Sequence, residues 1–106
     1  MDGVRAAVKV VGGKWKCEIL WHLRGGPRRF AELRRALSPI TERVLSRQLQ
    51  ELMAEDVVAR RDYGEMPLRV EYSMTQYGKS LDATLRAIGT WGTRHREPRA
   101  KRSAAA

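Results

Sequence analysis

Residues 37–75 read LSPITERVLSRQLQELMAEDVVARRDYGEMPLRVEYSMT, and their order decides the fold. Ser38-Pro39-Ile40 is a turn, because the residue before a proline is pushed off helical dihedrals. Thr41 is then placed to cap a helix running to about Glu55, carried inward by Leu45, Leu49, Leu52 and Met53 at helical spacing. Val57 to Asp62 has the composition of a strand, and Val70-Glu71-Tyr72-Ser73-Met74 alternates inward Val70, Tyr72 and Met74 with outward Glu71 and Ser73. Tyr63 to Arg69 is too long for a tight turn and reads as a projecting loop. A helix followed at once by a β-ribbon is the order in which a winged helix-turn-helix domain presents both to a duplex.

The flanking sequence supplies the rest of such a domain. Ala6 to Val11 is a short apolar stretch of helical character ending at Gly12-Gly13, and a second helix is expected from about Lys14 to Arg24, stopped by Gly25-Gly26-Pro27. That helix has two apolar faces, since Cys17 and Trp21 project opposite Ile19 and Leu23, so neighbours should enclose it on more than one side. Arg29 to Leu37 forms a short helix whose Phe30, Leu33 and Leu37 share a face. Thr75 caps a final helix to about His95, with Tyr77, Leu81, Leu85, Ile88 and Trp91 in one stripe. The expected domain spans residues 1–97, and residues 98–106, nearly all Arg, Lys, Ser and Ala, are expected to be a disordered basic tail. The fold class is α+β: helices, a β-hairpin wing, then a long C-terminal helix.

Charge narrows the function. Lys and Arg number 21 against 12 Asp and Glu, a net charge of +9 that attracts polyanions, nucleic acid first and an acidic membrane surface second. No apolar run approaches the roughly 20 residues of a membrane span and the N-terminus has no signal-peptide pattern, so the expected location is cytoplasmic. The single cysteine, Cys17, excludes an internal disulfide framework and leaves a metal site without its usual thiolates. There is no Gly-rich phosphate loop and no His/Asp/Ser constellation, and His22 and His95 stand alone; neither an enzyme nor a cofactor is expected.

The Thr41–Glu55 helix carries the chemistry. With Leu45, Leu49 and Leu52 inward, Arg43, Arg47 and Gln50 fall on the opposite face with Ser46 beside them. Arginine bonds guanine bidentately and glutamine bonds adenine, so this face has the vocabulary of major-groove reading. An isolated helix with such a face is more often simply solvated. Its setting argues otherwise: Arg28, Arg29, Arg34, Arg35, Arg43 and Arg47 lie within twenty residues and face only Glu32 and Glu42, a density suited to gripping phosphates. Arg60, Arg61 and Arg69 flank the wing, where charge also blunts edge-to-edge pairing. Asp62, Glu65 and Glu71 dilute that charge, so the wing is assigned to backbone positioning, with Arg69 its expected contact. The main alternative is that the same scaffold serves RNA or protein contact, since fold alone does not fix function.

Several blocks in order, Gly12-Gly13-Lys14-Trp15-Lys16, Ile19-Leu20, Arg29-Phe30-Ala31-Glu32-Leu33, Leu45 to Leu52, Val70-Glu71-Tyr72-Ser73-Met74-Thr75, Gly78 and Trp91-Gly92, resemble the HxlR family of bacterial winged-helix transcription regulators over about positions 8 to 93. The resemblance implies a homodimer joined through its first and last helices, which places Val8, Val11, Trp15, Tyr77, Leu81, Leu85, Ile88 and Trp91 at the interface. It also implies recognition helices presented to two half-sites of duplex DNA, with repression the commoner outcome, and it leaves a small-molecule or redox effector open. Family members typically carry a cysteine about a dozen residues ahead of the Gly-Gly-Lys-Trp run, which some use as a sensor. Residues 1–11 hold none, and Cys17, inside an apolar helix, is expected to be inert.

Overall fold

The computed structural model describes residues 2–104, in the order α1 (Asp2–Val11), α2 (Lys16–Leu23), α3 (Phe30–Ala36), α4 (Glu42–Ala54), β1 (Val58–Asp62), β2 (Val70–Met74), a 3₁₀ turn (Gly78–Leu81), α5 (Asp82–His95) and α6 (Arg99–Ala104). The core is one cluster: Ile19, Leu20 and Leu23 of α2, Leu33 and Leu37, Ile40 from the turn, Leu45, Leu49 and Leu52 of α4, Val57, Val58 and Met74 of the hairpin, and Leu85 of α5. α2 is central, touching α1, α3, α4, α5 and β2. This enclosure accounts for its apolar character on more than one side.

Capping sets the helix starts. The Thr41 hydroxyl accepts from the Val44 N–H at 3.2 Å, as the sequence predicts, and the Glu32 carboxylate accepts from the Arg29 N–H at 2.8 Å at the start of α3. β1 and β2 pair antiparallel, Val58 opposite Met74 through Asp62 opposite Val70. On the other edge of β2, Arg28 exchanges both backbone hydrogen bonds with Tyr72, at 2.9 and 2.8 Å, making a one-residue third strand that sequence periodicity did not signal. With α2 and α3 packed on β2, Val70 to Ser73 are all half-buried, so the expected inward and outward alternation is blunted and only Met74 is fully buried.

Three boundaries differ from expectation. α1 begins at Asp2, four residues before Ala6. The last helix is not continuous from Thr75: its first turn is 3₁₀, and Gly78 packs so closely on the Val57 carbonyl that a Cβ there would collide with backbone. The Thr75 hydroxyl fixes this corner, donating to the Asp56 carbonyl at 2.6 Å and accepting from the Gly78 N–H at 2.8 Å. The basic tail is not irregular over residues 99–104 but forms α6. Alanine, arginine and lysine are strong helix formers, and Pro98 accepts from the Lys101 and Arg102 N–H groups to start the turn. Residues 105–106 lie outside the described residues.

An ion pair ties α2 to α5. Arg24 Nε lies 2.6 Å from Asp82 Oδ1, and Arg86 lies 3.6 Å from the other carboxylate oxygen. The hydrogen bond from Arg24 holds the Asp82 carboxyl below its usual range. A carboxyl depressed in the folded state contributes stability that is fully present above its unfolded value, about 3.9, and is lost as pH falls through the folded value. We therefore expect the urea midpoint of the parent to fall from pH 5 to pH 3 by more than that of Asp82→Asn. Equal acid sensitivity in the two proteins would show that this pair does not couple protonation to stability.

Candidate nucleic-acid interface

α4 segregates its charges lengthwise. Glu51 is met by Lys16 of α2 and Glu55 by Lys9 of α1, both at 3.3 Å, so the acidic residues of its C-terminal half are turned toward the protomer's own helices. Glu42, the acid in the first turn, is held by Arg34 of α3 at 3.0 Å. Arg43, Arg47 and Gln50 are exposed on one face, Ser46 is half-buried beside them, and among the described residues neither arginine pairs with a carboxylate. Thr41 is exposed at the N-cap, and Arg29 and Arg35 are exposed on α3 and its leading edge. Arg28 is half-buried, and its guanidinium bonds the Pro27 carbonyl at 3.0 Å, so it serves its own turn first.

The wing departs from expectation. Arg61 and Arg69 both lie over the Tyr63 ring, at 4.3 and 3.8 Å, while the Tyr63 hydroxyl donates to Glu71 at 2.7 Å. Arg69 also pairs with Glu65 at 3.6 Å and Glu71 at 3.8 Å. The residue expected to reach out to DNA is therefore committed to bracing the hairpin, because an aromatic face and two carboxylates compete for its guanidinium. Arg60 is exposed and outside this cluster. At the apex, Met66 is 93 % and Leu68 67 % exposed, two apolar residues that charge-based reading of the loop passed over.

The expected interface stripe also divides. Leu85 is 1 % exposed and belongs to the protomer's own core, and Val11, Trp15 and Leu81 pack partly against that core. Val8, Tyr77, Ile88 and Trp91 are exposed, and so are Val4 and Trp21, which the stripe did not include. Trp21 and Ile88 line one shallow groove between α2 and α5, and the Trp21 ring is 3.3 Å from where a Cβ on Gly89 would sit. The signal for Trp21 was its place on the second apolar face of α2. Cys17 lines the same groove, half-buried; burial, then Glu18, pushes its thiol up. Of its lysine neighbours, Lys16 is drawn to Glu51 and Lys14 lies over Trp15, so neither is committed to the sulfur.

This arrangement of capped helix, turn, second helix and braced hairpin agrees with a family model for HxlR-like helix-turn-helix proteins that matches residues 10–100. The chain belongs to that family. It is 45 % identical over 92 residues, 87 % of this chain and 73 % of the relative, to the HTH-type transcriptional regulator YtcD of Bacillus subtilis. An HTH-type regulator of Methanothermobacter thermautotrophicus is 44 % identical over 89 residues, 84 % of this chain and 68 % of that protein. Among solved structures, the redox regulator HypR in its reduced form superposes with a TM-score of 0.86 at 39 % identity, covering 90 % of this chain and 94 % of that one. The HxlR-like relatives are transcriptional regulators and not enzymes. Among the described residues no helix is long and apolar enough to cross a membrane, and no group of three or more His, Cys, Asp or Glu could hold a metal.

Proposed function

We propose that the chain acts as a homodimer on an inverted-repeat operator, reading base edges with the exposed face of α4 and, in keeping with its family, acting chiefly as a repressor. One observation carries the reading: Glu42, Glu51 and Glu55 are each neutralised by a lysine or arginine of another helix, leaving Arg43, Arg47 and Gln50 exposed on one helix face with, among the described residues, no carboxylate paired to either arginine. Arg47 and Gln50 read bases, while Arg29, Arg35 and Arg43 with the exposed Arg60 grip phosphates. Arg28, Thr41, Ser46, Arg61 and Arg69 position these groups and complete the surface.

The dimer is supported by α1. It has no buried residue in the protomer although Val4 and Val8 are apolar, and the chain's radius of gyration is 15.8 Å, against about 13 Å for a compact domain of this length. A helix that leaves part of its apolar side uncovered gains burial by pairing, and the exposed Val4 and Val8 with Trp21, Tyr77, Ile88 and Trp91 are available to a second copy. Cys17 stays protonated in this reading and is no obligatory switch.

Replacing Arg47 or Gln50 by alanine should lower the preference for operator over random duplex by roughly 1–3 kcal/mol, since a bidentate base contact is lost. Arg35→Ala should weaken both duplexes alike and make the salt dependence shallower. Titrations at several salt concentrations, with an operator recovered by selection from a random duplex pool, distinguish these. Equal losses on both duplexes for the Arg47 and Gln50 variants would remove the reading face, and preference for RNA over duplex DNA would favour the scaffold's other use.

A further inference from the structure

We infer that the wing engages DNA through an apolar tip, with Met66 and Leu68 packed against the sugar walls of the minor groove, and not through the arginines at its base. The inference rests on the DNA-binding reading above and assigns the wing its chemistry. The charges of the loop are spent internally: Arg69 is shared among Tyr63, Glu65 and Glu71, and Arg61 lies over the same ring. What the apex offers outward is Met66, Pro67 and Leu68, all exposed.

Single exposed apolar residues are ordinary, but two on either side of a proline at the apex of a charged ribbon form a small patch, and such patches mark contact sites. Methionine, leucine and proline are among the side chains that wedge into minor grooves, where the walls are carbon-rich sugar faces and insertion bends the duplex. The thioether of Met66 is flexible enough to follow a groove of variable width. The surroundings favour a polyanion over an apolar protein partner. The chain carries a net charge of +9, and Arg60, exposed on the ribbon, is available to the phosphates that flank a groove. The Tyr63 cluster has a mechanical role in this scheme: a hairpin that pushes carbon into a groove must not splay, and the ring with its two guanidinium groups and the Glu71 hydrogen bond cross-braces β1 to β2.

The mode has a signature that a phosphate-gripping wing lacks. Apolar contact releases no counterions, so its loss changes affinity without changing salt dependence. The Met66→Ser/Leu68→Ser double variant should bind operator about tenfold more weakly than the parent at every salt concentration, from the lost burial of two side chains. The slope of log affinity against log salt should be unchanged, and energy transfer between dyes on the duplex ends should report a smaller bend. Because both side chains are exposed, the variant should melt with the parent. Parental affinity in the variant, or a loss with a shallower salt slope, would overturn the assignment, and so would intact DNA binding with regulation lost, which would move the tip to a protein partner. Failure of the parent to bind any duplex would instead sink the DNA reading itself.

Discussion

The Ile88→Glu/Trp91→Glu variant is expected to scatter light in gel filtration as a 12.1 kDa monomer at micromolar concentration, while the parent gives twice that mass. Both residues lie on α5, and their exposures of 42 % and 66 % mean that a carboxylate at either meets water in the isolated protomer. In a pair the added carboxylates of both copies would be buried in one seam, because a two-fold interface brings the same patch to both sides. Two like charges desolvated together cost far more than the apolar contacts they replace. Since the core uses Leu85 and not this face, the circular dichroism spectrum should be that of the parent. Operator affinity should fall by about 10²–10⁴, because a monomer loses the effective concentration that tethers the second recognition helix to its half-site. A parent that runs as a monomer, or a monomeric variant with undiminished operator affinity, would end the two-half-site model.

How much of this was legible in the sequence follows from which forces are local. The Thr41 cap, the Ser38-Pro39 turn and the Leu45, Leu49 and Leu52 face depend on neighbours three to four residues away, and each stands in the structure where the pattern puts it. The exposed α4 face with Arg43, Arg47 and Gln50 was likewise readable, because an amphipathic helix has only one side to turn outward. What was not readable depends on contacts that helix or strand periodicity does not dictate. The partners of Arg69 are near in sequence, Glu71 two residues on and Glu65 and Tyr63 four and six residues back, but they lie across an irregular loop whose path brings them together, and no periodic pattern reports that path. Leu85 shares its stripe with Ile88 and Trp91, but α2 crosses α5 at that level and takes one side of the stripe for the core, leaving the rest exposed. That position 78 has no room for a side chain follows only from the Val57 carbonyl, far back in sequence, which a Cβ there would strike.

Leu49→Ala is expected to have the largest effect on stability, about 2–5 kcal/mol, the range for truncating a fully buried leucine where the cavity cannot collapse. Leu49 is 0 % exposed, in a cluster built from α2, α3, α4, α5 and the hairpin, so no single element can move inward to fill the void. On a total of about 5–15 kcal/mol for a domain, such a loss is severe, and at about 4–8 °C per kcal/mol it should lower the melting temperature by roughly 8–40 °C. The surface variant Arg47→Ala should move it by no more than about 2–4 °C, since truncating an exposed surface side chain changes stability by at most about 0.5 kcal/mol. The contrast separates two ways of losing DNA binding: Arg47→Ala removes a contact from an intact helix, whereas Leu49→Ala loosens the helix that carries the contacts. If the protein folds as a dimer, the parent's melting temperature rises with its concentration, so both variants are to be compared at one concentration. A loss below about 1 kcal/mol in Leu49→Ala would mean that α4 is not seated on this core, and the exposed face assigned to DNA would have to be redrawn with it.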